Sequence, residues 1–344
     1  NLSSQFGSLG TLLLDPTNVT IEDGGSAAAT AVDAFADAGD DVSIDADTLD
    51  AVGGNVTIQA TDTITVDEAI ALTTSGASLS LTTQDSIITI NAPISTTNGA
   101  VNLTPGTYIT GDANGSVNSG SAETKIELYD GGHIGVGGAD CEENTCTMTL
   151  SSALLSVITS TGLTIGGADT TNIYLGGLTE AATANVSGTV TLNAIRTDGE
   201  SQIIFQQNRY ESGSNDSKIY FKALTTNSTH TTYLDGDTTI TVGDFNGKAN
   251  AYDDDSFNST FQLGTNNTLT MSGGGDVTFT GDEIREYGTI VGAGTYTTNG
   301  PVSYIDWDGA LRQAIDSANR NGFLDELDEM VTDIIGSLEK AGNC

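Results

Sequence analysis

Residues 53–66 read "GGNVTIQATDTITV", and in them Val56, Ile58, Ile64 and Val66 alternate with threonine and glutamine. Alternation with a period of two sends apolar side chains to one face of a strand and polar ones to the other. Thr, Val and Ile favour the extended chain, while the flanking Gly, Asn and Asp favour tight turns. Working outward, "GTLLLDPTNVTI" at 10–21 repeats the phrase. Val56-Thr57-Ile58 then aligns with Leu79-Ser80-Leu81 and with Val101-Asn102-Leu103, at spacings of 23 and 22. In that frame Asp62 meets Asp85, Ile64 meets Ile87 and Gly76 meets Gly99. A fixed period near 20 with strand-like alternation is the mark of a solenoid whose units share one core. The expected fold is therefore mainly β, with a parallel β-helix or solenoid-like body over residues 1–300. At about 4.8 Å per rung, roughly a dozen rungs would stack to on the order of 60 Å.

The remaining chain extends and interrupts this pattern. "CTMTLSSALLSVITSTGLTIGG", "NVSGTVTLNAI", "SQIIFQQNRY", "SKIYFKAL", "TTITVGDF", "NTLTMSGGGDVTFTG" and "GTIVGAGTYTT" all read as short strands between turns. Residues 26–38, "SAAATAVDAFADA", read as a short helix capped by Ser26 and ended by Gly39. From 301 to 344 the threonines vanish apart from Thr332, and the segment reads as a helical hairpin. Leu324, Leu327, Val331, Ile334 and Leu338 form its apolar stripe, which either covers the last rung or inserts into a neighbouring copy. A further subdivision is expected near 140–147.

Composition limits what the chain can do. Apolar residues make up 37% and aromatics 6%, with 42 glycines and four prolines, so the interior must be narrow. The formal charge is −36, and Lys125 is the only lysine or arginine before Arg196. Such a surface repels nucleic acid and anionic membranes, and it attracts hard cations that take carboxylate oxygens. No apolar run is long enough to span a bilayer. The chain starts at Asn1 without a signal-peptide core, which reads as a processed mature protein or a fragment.

Candidate sites are of four kinds. Asp40, Asp41, Asp45 and Asp47 in "DAGDDVSIDAD", and Asp253, Asp254 and Asp255 in "AYDDDSFN", are candidate Ca²⁺ ligands on Asp-rich turns. Ser317, Asn319, Asn321, Gly322, Asp325 and Asp328 also occupy EF-hand-like positions, without the usual first Asp and last Glu. Cys141 and Cys146 are close enough for a local disulfide, which favours export, while Cys344 is the odd thiol. Sequons at Asn18, Asn55, Asn102, Asn185, Asn227 and Asn258 permit glycosylation. Leu12, Leu13 and Leu14 join the C-terminal stripe as candidate assembly residues, because the end rungs of a solenoid carry unpaired backbone. His133 and His230 read as surface residues, and "GHIGVGG" reads as a turn, so no catalytic residue is assigned.

"GTLLLDPTNVTI", "AGDDVSIDA" and "GGNVTIQATDTITV" with the Ala-rich segment between them resemble the repeat region of filamentous-haemagglutinin-type adhesins, mainly over residues 8–110. "STGLTIGGADTTNIYLGGLTEAATANVSGTVTLNA" is similar to it more loosely. The resemblance implies a secreted right-handed parallel β-helix engaged in adhesion or extracellular structure. The function expected is an extracellular structural protein, a self-assembling surface filament or adhesive matrix subunit whose main partner is itself, head to tail. One alternative is a monomeric adhesin domain that binds a host or neighbouring-cell glycan or protein through the Tyr-bearing region near 209–261. A second is a β-helical glycan-cleaving enzyme using paired carboxylates.

Overall fold

A computed structural model of the chain describes residues 11–14, 16–25, 41–139, 141, 145–196, 201–205, 217–228, 231–234, 238–249, 260–264, 268–271, 276–292 and 294–303. The chain divides into two compact units, Asn1–Val302 and Ser303–Cys344. The helix expected at 26–38 and the helical hairpin expected after 301 lie outside the described residues.

The first unit is mainly β and is built from parallel sheets. Its first strands are β1 (Thr11–Leu14), β2 (Asn18–Glu22) and β3 (Asp41–Asp45), followed by the helix α1 (Ala46–Asp50). The chain then runs through β4 (Asn55–Ala60), β5 (Thr63–Val66), β6 (Ile70–Leu72), β7 (Leu79–Thr83), β8 (Ile88–Ile90), β9 (Pro93–Thr96), β10 (Val101–Thr104), β11 (Ile109–Gly111) and β12 (Ser116–Asn118). In this stretch it visits three sheets in turn, three times over: β4, β7 and β10 in sheet I, β5, β8 and β11 in sheet II, and β6, β9 and β12 in sheet III. Neighbouring strands run parallel throughout.

After β13 (Glu123–Ile126) the plan changes. β14 (Gly132–Gly137) opens a fourth sheet, and β15 (Met148–Leu150), α2 (Ser152–Ser156) and β16 (Ile158–Thr159) follow it. Sheet II ends at β11, and sheet III ends at β16. From there the chain shuttles between sheets I and IV. β17 (Gly162–Gly167) and β18 (Thr170–Gly176) are followed by β19 (Thr189–Ala194), β20 (Gln202–Phe205), β21 (Ser217–Ser228) and β22 (Thr231–Leu234). The last strands are β23 (Thr238–Ala249), β24 (Thr260–Leu263), β25 (Thr268–Met271), β26 (Val277–Thr280), β27 (Glu283–Glu286), β28 (Thr289–Val291), β29 (Tyr296–Asn299) and β30 (Val302–Ser303).

The core follows from the alternation. In β4 the residues Val56, Ile58 and Ala60 are buried and their neighbours are not, and β7 repeats the pattern. Because each short strand contributes two or three apolar side chains, one continuous thin cluster links Val19 to Ile284. Sheet I stacks these residues in register. One column runs Leu12, Val56, Leu79, Val101, Thr124, Leu163, Val190, Leu224, Phe245, Val277, Tyr296.

The repeat alignment of Val56, Leu79 and Val101 is the register of β4, β7 and β10. Two other alignments shift by one residue. Ile64 pairs with Ile88, not Ile87, because the turn after Asp85 holds one residue more than its counterpart after Asp62. A slip of one residue exchanges the faces of a strand. Ile88 is accordingly buried, and Ile87 is only partly so. The β7–β10 register likewise sets Gly76 against Asn98 and Ala77 against Gly99. Gly76 and Asn98 have φ of 80° and 59°, the left-handed turn that glycine and asparagine tolerate.

Three local readings are corrected. "SALLS", expected within a strand run, is α2, because the Ser151 hydroxyl accepts from the Leu154 N–H at 3.2 Å and starts a helix. "GHIGVG", expected as a turn, is the strand β14, which has a bulge at Gly132/His133. α1 was not expected at all, although Asp45 caps it by accepting from the Asp47 N–H at 2.9 Å.

Candidate functional site

The strand edges are the features that distinguish the first unit from a closed fold. Sheet I alone has an edge strand at both the start and the end of the unit. Among the described residues, β1 pairs only with β4, β28 only with β25, and β29 only with β26. Such edges expose rows of N–H and C=O groups that another strand can satisfy.

Two of the edges at the start of the unit, β3 and β1, differ in chemistry. β3, the edge of sheet II, carries Asp41 and Asp45, and charge on an edge strand discourages pairing. β1 reads Thr11-Leu12-Leu13-Leu14 and carries no charge. The register puts Leu12 and Leu14 in the columns of Val56 and Ile58, and Leu13 in that of Thr57. At the other edge, β28 (TIV) and β29 (YTTN) are also uncharged. Val291 is 47% exposed and Tyr296 39% exposed, although Tyr296 continues a column that is buried at Val56, Leu79, Val101, Thr124 and Leu163. Phe261 stacks on Phe279 at 4.1 Å between ring centres, and Phe279 meets Tyr296 edge-on at 5.7 Å. The Tyr296 hydroxyl donates to Glu286 Oε2 at 2.5 Å. Sequence reading singled out β1 and missed β29 as an edge, although "TYTT" was within a run read as strand. The C-terminal stripe, Leu324, Leu327, Val331, Ile334 and Leu338, lies outside the described residues.

The candidate Ca²⁺ ligands are not brought together where they are described. Asp41 accepts from the Asn18 amide at 2.6 Å, Asp45 caps α1, and Asp47 is exposed in its first turn. Among the described residues no three His, Cys, Asp or Glu side chains converge as metal ligands. Asp40, Asp253, Asp254 and Asp255, and the EF-hand-like positions, lie outside the described residues. Asp50, at the end of α1, accepts from the Ala71 N–H at 2.7 Å, and burial pushes its carboxyl above the usual range.

The sequon asparagines instead stitch adjacent circuits together. Asn18 accepts from the N–H and hydroxyl of Thr63 at 3.1 and 2.7 Å, and Asn55 accepts from the Ser78 N–H at 3.0 Å. Asn102 donates to the Ser80 hydroxyl at 3.1 Å, Asn185 to the Ser156 carbonyl at 2.7 Å and Asn227 to Asn193 Oδ1 at 2.7 Å. Asn258 lies outside the described residues.

Cys141 and Cys146 form a disulfide with their Cα atoms 5.2 Å apart. Cys141 is buried with Tyr174 and Ile204, which makes a small apolar cluster separate from the main core. Cys146 lies so close to β14 that a Cβ on Gly135 would stand 2.9 Å from its Sγ. His133, expected as a plain surface residue, is partly buried beside Tyr174, with ring centres 6.1 Å apart. Its Nδ1 is buried without a hydrogen-bond partner, and burial together with the nearby Arg196 holds its pKa below the ordinary value. Where sheet II ends, a cleft of about 420 Å³ opens between β11 and α2, lined by Ile90, Ile109, Val117, Leu154 and Val157 with Asp112 at the rim. Of the Tyr-bearing region near 209–261, Tyr210 and Tyr252 lie outside the described residues, while Tyr220 and Tyr233 sit on β21 and β22.

No family model, curated protein or solved structure matches the chain.

Proposed function

We propose that the chain is an extracellular parallel β-solenoid that serves as a self-assembling surface filament or adhesive matrix subunit. The observation that carries this reading is sheet I, whose in-register columns run from one uncharged edge strand to another among the described residues. Each circuit of the chain is one rung, and a stack of rungs with open ends grows by adding further rungs. A net charge of −36 keeps such a subunit soluble and discourages side-by-side collapse, leaving the uncharged edge strands β1 and β29 as the favourable place to associate. The disulfide fits an oxidising, extracellular compartment. The resemblance of residues 8–110 to filamentous-haemagglutinin-type adhesins points the same way.

Negative-stain microscopy of the purified chain, with Ca²⁺ and with chelator, tests the reading. Regular fibres far longer than one subunit support it, and their loss in chelator adds Ca²⁺ as a structural cofactor. Single particles under both conditions contradict it.

Tyr108 and Tyr129, 48% and 39% exposed, favour a second reading as a monomeric adhesin domain, because exposed tyrosines offer apolar faces to a sugar ring. Binding of a glycan panel by the unassembled chain, lost in Tyr108→Ala, is the result that reading expects.

A further inference from the structure

We infer that the subunits join strand to strand within sheet I, β29 of one copy pairing in parallel with β1 of the next, so that Tyr296 is followed by Leu12, Thr297 by Leu13 and Thr298 by Leu14. This rests on the self-assembly reading and names its interface; the occupant of each edge is a second copy of this chain. Both strands belong to the same sheet and run in the same direction, because every step between them is parallel. A copy translated along the stack therefore meets its neighbour with no change of direction.

Register selects β29 rather than β28. The long strand β23 pairs with β25 through Thr239–Val242 and with β26 through Phe245–Lys248, so sheet I forks there. The columns of Leu12 and Leu14 pass along the β26 branch and end at Tyr296 and Thr298. The β25 branch ends at β28 in columns that begin only at β21. Joining β29 to β1 thus continues the columns that already run through the unit.

Charge supports the same choice. β1 and β29 carry no charged residue, whereas β3, the neighbouring edge at the start of the unit, carries Asp41 and Asp45. One edge is left able to pair, and the other is blunted.

The test uses the full chain with Cys344→Ser, so that the odd thiol takes no part. Leu13→Cys and Thr297→Cys are made in separate preparations, mixed and oxidised. Neighbouring residues on paired parallel strands lie about 5 Å apart, within the range a disulfide spans. A covalent dimer is expected in the mixture and in neither preparation alone. Fibres without that dimer would overturn this joint while leaving the filament reading intact, and the absence of both dimer and fibres would overturn the two together. As a second measure, Leu13→Lys puts a charge on the edge, and it should abolish fibres while the circular dichroism spectrum and urea midpoint stay unchanged. Fibres that persist in Leu13→Lys would also overturn the joint.

Discussion

At the scale of single residues, two glycines in the successive turns before β7 and β10 have opposite reasons to be glycine. A Cβ on Gly99 would stand 1.8 Å from the Ala77 carbonyl oxygen, in the backbone of the circuit beside it. Backbone held in a parallel ladder cannot retreat, so Gly99→Ala should cost about 3 kcal/mol, the upper end of overpacking penalties. Gly76 has open space around it but a φ of 80°, so Gly76→Ala should cost about 1 kcal/mol. Urea unfolding of the two variants checks the ranking. His133 makes a prediction in pH. Its pKa is lowered in the fold by burial and by Arg196, so the unfolded chain takes up the proton first. The stability contributed by neutral His133 is full above pH about 6.5 and is lost as pH falls toward the folded value. His133→Gln should flatten that part of the stability profile, as read from urea midpoints between pH 5 and 8. The apolar alternation of Val56 to Val66 was legible because one face of each strand must be buried. The state of His133 was not, because it depends on Tyr174 and Arg196, distant in sequence and brought close by the stacking of β14 and β18.

At the scale of elements, the strands were readable and the insertions were not. The Thr-Val-Ile runs give β4, β7 and β10 their register directly. The step from Ile64 to Ile88 depends on one extra turn residue after Asp85, which a repeat of nearly constant period conceals. α2 was read as strand because "SALLS" sits between β15 and β16 and is only five residues long, too short for a helical period to show. The cap of Ser151 was the available signal. The disulfide of Cys141 and Cys146 was visible from their spacing, but its role comes from what the two cysteines pack against, Tyr174 and Ile204 of sheet IV. Replacing both cysteines by serine should cost about 2 kcal/mol, the chain-entropy value for so short a loop. Hydrogen exchange should then quicken at β14 and β18, next to the loop, and stay unchanged at β4 and β7.

At the scale of the whole molecule, the composition of the chain and its topology point to one arrangement. An interior fed by two or three apolar residues per strand stays narrow, which suits the solenoid we propose. In the assembly we propose, the acidic surface discourages side-by-side contact and the uncharged strands β1 and β29 form the joint. Of the candidate Ca²⁺ ligands that are described, Asp45 caps α1 and Asp41 takes an inter-strand hydrogen bond from Asn18, and no spacing rule could have revealed this, because Asp caps a helix and binds a cation with the same oxygens. The most direct test of the central claim is cryo-electron microscopy of fibres grown from the purified chain, with the layer lines indexed. The account predicts strands perpendicular to the fibre axis with an unbroken repeat of about 4.8 Å across subunit boundaries. Fibres in which that repeat breaks at each boundary, or a chain that stays monomeric at high concentration, would contradict it.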